Sequence, residues 1–440
     1  MMCAMKDSGV EWIGKIPADW NYCRIKYNAY LKGRIGWQGL KASEFIDDGP
    51  YLVTGTDFCK GEINWDTCYH ISPKRYDEAP EIHIKHHDLL ITKDGTVGKV
   101  AYIDSVPGRA SLNSHLLLIR PLNEIFTNRF LYWVIQSSEF EHYTGYSRNG
   151  TIMQSLSQEK INDFSFCAPS LPVQQRIADY LDDKCGKIDA YVDRQHQIID
   201  KLTAYKQSVI TEAVTKGLDP NVPMKDSGVE WIGKIPEYWS RIKLARVIRN
   251  TQNGLTRRDL SESSGQIVLK LKNINEHGNI IYDFINRIDM SDDEKEKFGL
   301  VVGDFLFVRV NGSKSLVGKC AIFQGSNEIV AYNDHIIRVR FINYCNKEFI
   351  RWQLLSESGK REIELHINTA AGQFTISGEG LRDIFISFPP MAEQQQIVAY
   401  LDHKCAVIDE AISKKQALID SMEAYKKSLI YEVVTGKKEV

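Results

Sequence analysis

The sequence predicts an α+β protein built from two mixed α/β domains and two long helices that pair as an antiparallel coiled coil. Two observations support this fold class. The chain contains a long internal repeat, and each half has a series of short predicted strands followed by a stretch with helical spacing of apolar residues. The two halves are therefore expected to share one fold and to be related by a pseudo-twofold axis.

The internal repeat is the strongest pattern in the sequence. Met5–Pro17 recurs letter for letter as Met224–Pro236, so thirteen consecutive residues are identical at an offset of 219 residues. Shorter matches, including His115 with His335, continue to the end of each half. A period this long lies far above those of solenoid repeats. Because the ends agree and the middles differ, one scaffold carrying two sets of loops is favoured over a duplication that has only drifted.

Composition limits the class of protein. The chain has 440 residues, of which 43% are hydrophobic and 25% charged, as in globular proteins of about two to four structural units. No apolar run is long enough to predict a membrane span. Nine cysteines without a C-x-x-C pair predict reduced thiols in the cytoplasm, with no disulfide and no structural zinc. The net charge of -2 counts mildly against nucleic-acid binding unless the basic residues gather on one face.

Strands are predicted where short apolar or alternating runs lie between Gly, Asn and Asp residues. The clearest are Asp88–Thr92, Val100–Ile103, Leu116–Arg120, Ile267–Leu271, Leu306–Val310 and Ile336–Phe341. One short helix is predicted after the strands of each half, at Asn128–Ser138 and Lys347–Ser358. Each half therefore begins with a mixed α/β domain.

Two long helices are predicted from about Pro172 to Lys216 and from about Glu393 to Thr435, each followed closely by a glycine. One apolar seam runs along each helix. In the first helix a second seam position, three residues later in the heptad, is occupied by Ile177, Tyr191, Ile198 and Tyr205, and the seam is widened by Cys185, Val192 and Ile199. The seam residues are Leu181, Ile188, Gln195, Leu202 and Val209 in the first helix and Leu401, Ile408, Lys415, Met422 and Leu429 in the second. Gln195 and Lys415 share one seam position, where a polar residue costs stability but fixes register. The expected divisions of the chain are residues 1–170, 171–218, 219–389 and 390–440, in the order domain, helix, domain, helix.

Three patterns with possible chemistry are weak. Gly95–Lys99 lacks the spacing and the Ser or Thr of a phosphate-binding loop, so a turn between strands with an exposed lysine is favoured. Phe388–Pro390 lacks the residues of a methyltransferase motif, and its prolines more simply end a strand and begin a helix. The group His83, His86, His87 and Asp88 matches no zinc spacing, so solvent-facing loop histidines are expected and no metal.

The opening and helix-starting motifs resemble those of the specificity (S) subunits of type I restriction-modification systems. The resemblance rests on Ser8–Pro17 followed by Trp20, with its second copy, and on Pro389–Gln395 followed by Ile397, Leu401 and Asp402. It spans almost the whole chain, with both motifs present twice and in order. The first long helix departs from the family at Val173, where Glu is usual. The two halves also differ from each other, because Ala370-Ala371 occupies the position in the second half that corresponds to Gly150-Thr151 in the first.

The resemblance implies a DNA-binding subunit without a catalytic centre. Each α/β domain would be a target-recognition domain that reads one half of a bipartite double-stranded DNA sequence, and the paired helices would hold the halves at a fixed gap. Two methyltransferase (M) subunits, and restriction (R) subunits where present, would carry out the chemistry. S-adenosylmethionine would bind to those partners, so no cofactor is expected on this chain.

DNA binding requires Lys and Arg for phosphates, and Arg, Asn, Gln, Ser or Thr for base edges. Two loops in each domain mix these residues, and a third candidate surface patch lies near each domain's start. The candidates in the first domain are Arg34, Gln38, Lys93, Thr96, Lys99, Arg148, Asn149 and Thr151. Those in the second are Arg257, Arg258, Arg309, Asn311, Ser313, Lys314, Lys319 and Gln373. Lys99 and Lys319 occupy the same position in both halves, which favours them over ordinary polar loop residues.

Two other classes stay open on the residues alone. A self-contained DNA methyltransferase or nuclease would bind S-adenosylmethionine or act without partners. A coiled-coil scaffold that joins proteins would show no salt-sensitive affinity for DNA.

Overall fold

The computed structural model divides the chain into two compact units. The first consists of residues 1–196 and 417–440, and the second of residues 197–416. The residues that the structure describes are 4–9, 13–34, 39–95, 97–145, 156–257, 264–275, 278–283, 285–370 and 372–440. Within those ranges, no helix combines the length and the apolar character that crossing a lipid bilayer requires.

The first unit contains thirteen strands among its described residues. They are β1 (Met5–Asp7), β2 (Lys15–Pro17), β3 (Asn21–Arg24), β4 (Ala29–Gly33), β5 (Phe45–Val53), β6 (Phe58–Cys59), β7 (Glu62–Ile63), β8 (Tyr69–Ile71), β9 (Leu89–Thr92), β10 (Val100–Tyr102), β11 (Ala110–Leu112), β12 (Leu116–Pro121) and β13 (Ser165–Ala168). Its α-helices are α1 (Ile25–Asn28), α2 (Pro73–Asp77), α3 (Asn128–Ile135), α4 (Ser138–Thr144) and α5 (Gln158–Asp163), followed by α6 (Leu171–Lys216), which continues into the second unit.

A four-stranded antiparallel sheet in the order β10-β9-β12-β4 forms the centre of the first domain. A second sheet in the order β11-β5-β8 contains one parallel pair, β11 with β5. All four residues of β9 are buried, because both faces of the central sheet are covered. The first two strands of the chain, which carry the repeated motif, form a separate antiparallel hairpin.

The second unit repeats this plan. Its strands are β14 (Met224–Asp226), β15 (Lys234–Pro236), β16 (Ser240–Lys243), β17 (Ile248–Asn253), β18 (Gln266–Leu269), β19 (Asn286–Ile288), β20 (Phe305–Val308), β21 (Val310–Asn311), β22 (Cys320–Ile322), β23 (Val330–Tyr332), β24 (Ile336–Phe341), β25 (Asn368–Ala370), β26 (Gln373–Thr375) and β27 (Phe385–Phe388). Its α-helices are α7 (Asp292–Phe298), α8 (Lys347–Leu355), α9 (Glu357–Leu365), α10 (Gly378–Asp383) and α11 (Met391–Val434), which continues into the first unit.

The sheets of the second domain match those of the first. The central sheet has the order β17-β24-β20-β22, and a second sheet, β19-β18-β23, again contains one parallel pair. The second domain adds a three-stranded sheet, β21-β26-β25, among its described residues. The shared topology confirms the internal repeat that the sequence predicts.

The long helices run antiparallel in each unit. In the first unit Lys426 forms an ion pair of 2.6 Å with Asp189, and Lys438, four residues past the end of α11, has its Nζ 6.0 Å from the centroid of the Tyr180 ring. In the second unit Lys206 pairs with Asp409 at 2.6 Å. The two ion pairs join equivalent positions of the repeat, so the same helix register occurs in both units.

The helix boundaries lie close to those predicted, and Gly217 and Gly436 adopt the left-handed conformation with φ of +77° and +69°. The seams are buried where the helices meet a domain: Leu181 and Leu401 are inaccessible to solvent, and Leu429 and Val209 are also buried. Ile188, Leu202, Lys415 and Met422 are half-buried, while Ile408 and Gln195 are buried.

One expectation about the helices is wrong. Tyr191 and Tyr205 are 40% and 50% exposed, because a seam that faces one partner helix is narrow and amphipathic phenols can stay in water. The short helix predicted in each half is present as α3 and α8, and a second short helix follows it, α4 in the first domain and α9 in the second. Ser356 begins α9 as an N-cap whose hydroxyl accepts a hydrogen bond from the Gly359 N–H.

Candidate nucleic-acid interface

In the first domain, Lys93–Lys99 connects β9 to β10 as a turn. The Thr92 N–H donates to the Lys99 carbonyl at 2.9 Å, and the Lys99 N–H donates to the Thr92 hydroxyl at 2.9 Å. Gly95 and Gly98 have φ of +73° and +83°, which a side chain would oppose. A strand follows this turn rather than a helix, so the arrangement of a phosphate-binding loop is absent and the turn prediction is confirmed.

In the second domain, the structure brings the two predicted loops together. Val310 and Asn311 of β21 pair with Thr375 and Phe374 of β26, which in turn pairs with β25. Arg309–Lys319 and Asn368–Phe374 therefore share one small sheet. Gln373 and Ser313 are exposed on it, and the Asn311 side chain accepts a hydrogen bond from the Ser313 N–H at 2.9 Å.

The loops of each domain are joined to the central sheet at one point. The Lys93 N–H donates to the His115 carbonyl at 2.9 Å, and the Lys93 carbonyl accepts from Leu156 at 2.8 Å. In the second domain the Arg309 N–H donates to the His335 carbonyl at 2.7 Å, and its carbonyl accepts from Ile376 at 2.9 Å. Equivalent backbone hydrogen bonds therefore connect different loops to the central sheet in the two domains.

Several of the predicted DNA-binding residues in these loops have cationic groups with few or no protein partners. Over the described part of the chain, the ammonium groups of Lys93, Lys99, Lys314 and Lys319 form no ion pair or hydrogen bond. Lys99 and Lys314 are exposed, and Lys93 and Lys319 are half-buried. Arg309 donates one hydrogen bond of 3.0 Å to the Asp334 carbonyl. Ammonium groups without a protein partner are free to meet an anionic ligand.

Arg34 and Arg257 are placed differently. Arg34 is only 4% exposed and donates to the Leu112 carbonyl at 2.7 Å and to the Ser111 hydroxyl at 2.9 Å. Burial lowers the pKa of its guanidinium. The expectation that Arg34 lies on a surface patch is therefore wrong, because the residue supports the strand before the His115 turn from inside the domain. Arg257 remains at the surface but pairs with Glu294 at 2.9 Å.

Six candidate residues lie outside the described residues. They are Gln38, Thr96, Arg148, Asn149, Thr151 and Arg258.

A buried ion pair supports the loop-bearing strand in each domain. Asp88 precedes β9 and accepts two hydrogen bonds from Arg120, at 2.7 and 2.6 Å. Asp304 precedes β20 and accepts the equivalent bonds from Arg340, at 2.7 and 3.0 Å. The two carboxylates are 0% and 1% exposed. The strand that ends at the candidate interface is thus fixed at its other end in the same way in both domains.

The expectation that His83, His86 and His87 all face solvent is wrong in part. His83 stacks on Tyr76 with 3.6 Å between ring centroids, and Asp88 is buried against Arg120. Only His86 and His87 are exposed. Among the described residues, no group of three or more His, Cys, Asp or Glu side chains could hold a metal ion.

Each α/β domain is fixed to its helix by the glutamine of the helix-starting motif. Gln174 accepts from the Thr127 N–H at 2.9 Å and donates to the carbonyls of Ile125 and Pro169 at 2.8 Å each. Gln394 accepts from the Asn346 N–H and donates to the Pro389 carbonyl. Both glutamines are buried. The motif that carries the family resemblance therefore joins helix to domain.

Sequence reasoning aligned His115 with His335 but gave them no role. The structure places each beside the first basic residue of a candidate loop. The sequence could have indicated this role, because the two histidines occupy the same position in both halves although the neighbouring segments differ.

Comparison with known proteins gives consistent matches. The family model for the type I restriction modification DNA specificity domain matches residues 38–204 and 257–419. The type I restriction enzyme StySPI specificity subunit of Salmonella potsdam is 23% identical over 424 residues, which cover 93% of this chain and 89% of the relative. The EcoKI specificity subunit of Escherichia coli (strain K12) is 22% identical over 404 residues, which cover 90% and 84% of the two chains.

A solved structure supports the fold independently. A chain from work on complex assembly and conformational transition of the type I R-M system superposes with a TM-score of 0.70 at 14% identity, over 96% of this chain and 99% of that chain. The two segments matched by the family model cover well over half of the present sequence. The chain therefore belongs to the family of the type I restriction modification DNA specificity domain.

Proposed function

We propose that this chain is the sequence-specific DNA-binding subunit of a type I restriction-modification complex and has no catalytic centre of its own. Each domain reads one half of a bipartite target. The chain directs methyltransferase subunits, two in number, and restriction subunits where they are present, to that target. S-adenosylmethionine binds to the methyltransferase partners.

One observation carries the proposal: two copies of one scaffold present different loops from the same strand ends. Lys99 follows the turn at the end of β9, and Lys319 the equivalent turn after β20, and neither ammonium group has a protein partner within the described residues. A scaffold used twice with different loops suits a protein that reads two different sequences in one way. Ammonium groups without a protein partner are suited to contacts with DNA phosphates.

Methylome sequencing of cells with and without this gene tests the proposal. The expected result is one methylated motif with two specific parts and an unspecified gap, present only when the gene is present. An unchanged methylome, in cells shown to contain the assembled methyltransferase complex, would contradict the proposal.

Salt dependence separates DNA binding from a scaffolding role. The reconstituted complex is expected to lose affinity for target DNA steeply as salt rises, with a slope set by the number of phosphates that are neutralised. The matched control is a duplex of the same length with both half-sites scrambled. A complex that binds both duplexes equally weakly at every salt concentration would favour the scaffold.

A further inference from the structure

Each domain places a histidine across from the first basic residue of its candidate loop. Thr92 pairs with Leu116 in the central sheet of the first domain, so the next residues outward, Lys93 and His115, oppose each other. Val308 pairs with Ile336 in the second domain. Arg309 and His335 therefore oppose each other at the same place.

Opposed residues on antiparallel strands project from the same face of the sheet, with Cβ atoms about 4.5 to 5.5 Å apart. The hydrogen bonds from Lys93 to the His115 carbonyl and from Arg309 to the His335 carbonyl fix each pair. The backbone carbonyl of each basic residue is also held, because it accepts a hydrogen bond from the Leu156 N–H in the first domain and from the Ile376 N–H in the second. Each pair is thus positioned by backbone, although it stands next to loops that differ.

The histidine side chains are available at the surface. The His115 side chain is 64% exposed, and its Nδ1 lies 3.3 Å from Asp94. The His335 side chain is 38% exposed, and its Nε2 lies 3.9 Å from Asp334. A phosphate can accept a hydrogen bond from the ring nitrogen that faces away from the carboxylate only in the imidazolium form, in which both ring nitrogens carry a proton. In the first domain, that nitrogen is Nε2, which is left to meet a ligand.

We infer that Lys93 with His115, and Arg309 with His335, form one phosphate-binding pair in each domain, which holds the same point of the DNA backbone in both half-sites. This inference rests on the proposed function and adds the two histidines to it. A residue retained in both domains suits a contact that is common to two different sequences, and the backbone phosphate is that common feature. The residues that differ between the loops are left to read the bases.

The test uses the specificity chain assembled with its methyltransferase subunits, and a duplex carrying the motif found by methylome sequencing. His115→Gln and His335→Gln replace a cationic donor by a neutral amide donor, so each is expected to weaken binding about fivefold, and the double variant about 25-fold. The methylated motif is expected to stay the same. His86→Gln, which changes an exposed histidine of the first domain away from the pair, is the matched control and is expected to bind like the wild type.

Duplexes with a single neutral methylphosphonate at successive backbone positions identify the contact. One position in each half-site is expected to weaken the wild-type complex, and His115→Gln should be insensitive to that position in its own half-site only. Unchanged affinity of both histidine variants would overturn the inference. So would an altered methylated motif, or variants as sensitive as the wild type to every neutral position. Failure of the proposed function is distinguishable, because the wild-type complex would then show no sequence-specific methylation.

Discussion

Asp88 and Asp304 show how single residues support the candidate interface. Each carboxylate is buried, accepts two hydrogen bonds from one arginine, and precedes the strand that ends at the loops. Asp304 raises the pKa of the Arg340 guanidinium through these hydrogen bonds. Loss of one partner from such a pair leaves a charge without its counterion in a largely buried place.

Asp88→Asn and Asp304→Asn are each expected to destabilise their own domain by about 2 to 4 kcal/mol. Thermal unfolding followed by circular dichroism measures the effect. Asp292→Asn, at a carboxylate whose side chain is 97% exposed, is the control and should change stability by less than about 0.5 kcal/mol. Equal effects at the buried and the exposed positions would contradict the assigned role.

Glu139 gives a pH-dependent prediction. It is 7% exposed, its Oε2 has no hydrogen-bond partner among the described residues, and burial raises the pKa of its carboxyl group. An acid with a raised pKa in the folded state keeps its proton longer when folded than when unfolded. The folded state is therefore destabilised as pH rises above the ordinary carboxyl value.

Glu139→Gln is expected to stabilise the first domain by about 1 kcal/mol near neutral pH, because the neutral amide avoids a buried charge. The difference in stability between the variant and the wild type should shrink as pH falls towards 4, because the Glu139 carboxyl group then becomes protonated and neutral, like the amide. Melting temperatures of the two proteins across this pH range provide the measurement. A constant difference at all pH values would show that the charge is not responsible.

Local signals at this scale were predictable and distant contacts were not. Pro172 and Gly217 mark the ends of the first long helix in the sequence itself, and the structure places the helix there. Arg34 was assigned to the surface because its burial depends on Ser111 and Leu112, which lie 77 and 78 residues away. His83 was assigned to solvent because nothing in its neighbourhood indicated that Tyr76 would stack on it.

The long helices determine register at the scale of elements. The ion pairs Asp189–Lys426 and Lys206–Asp409 join equivalent residues in the two units. Exposed pairs of this kind contribute less than about 1 kcal/mol each. The buried apolar seam therefore supplies most of the stability, and the charged pairs and Gln195 favour one register over others.

Gln195→Leu tests the cost of the polar seam position. Gln195 is 4% exposed, and its Oε1 has no hydrogen-bond partner within the described residues. Replacement by leucine is expected to raise stability by about 1 kcal/mol or more, because an unpaired buried oxygen is removed and apolar area is buried. The thermal unfolding midpoint reports the change. Gln197→Leu, at a neighbouring exposed position, should give no gain, and equal gains at both sites would refute the explanation.

The loops show the limit of element-level prediction. The strands before and after them follow from alternating apolar residues, and the glycines of the first turn indicate its place. The pairing of β21 with β26 was not predictable, because more than 60 residues separate the two strands and they are only two and three residues long. Which loop residues read bases depends on conformations that polar sequences do not specify.

At the scale of the whole molecule, duplication is the organising feature. Both units contain the same sheets, the same buried Asp–Arg pair and the same glutamine contact between helix and domain. The differences include the β6–β7 hairpin of the first domain and the β21-β26-β25 sheet of the second. This duplication supports the proposal that each of the two domains reads one part of the DNA target.

The most direct test of this account replaces residues 88–165 with the corresponding segment of a related protein that has a different methylated motif, and sequences the methylome of the cells. The account predicts that one half of the bipartite motif changes to that of the donor, while the other half and the gap remain as in the wild type. A change in both halves, or an unchanged motif from a complex that still methylates DNA, would contradict it.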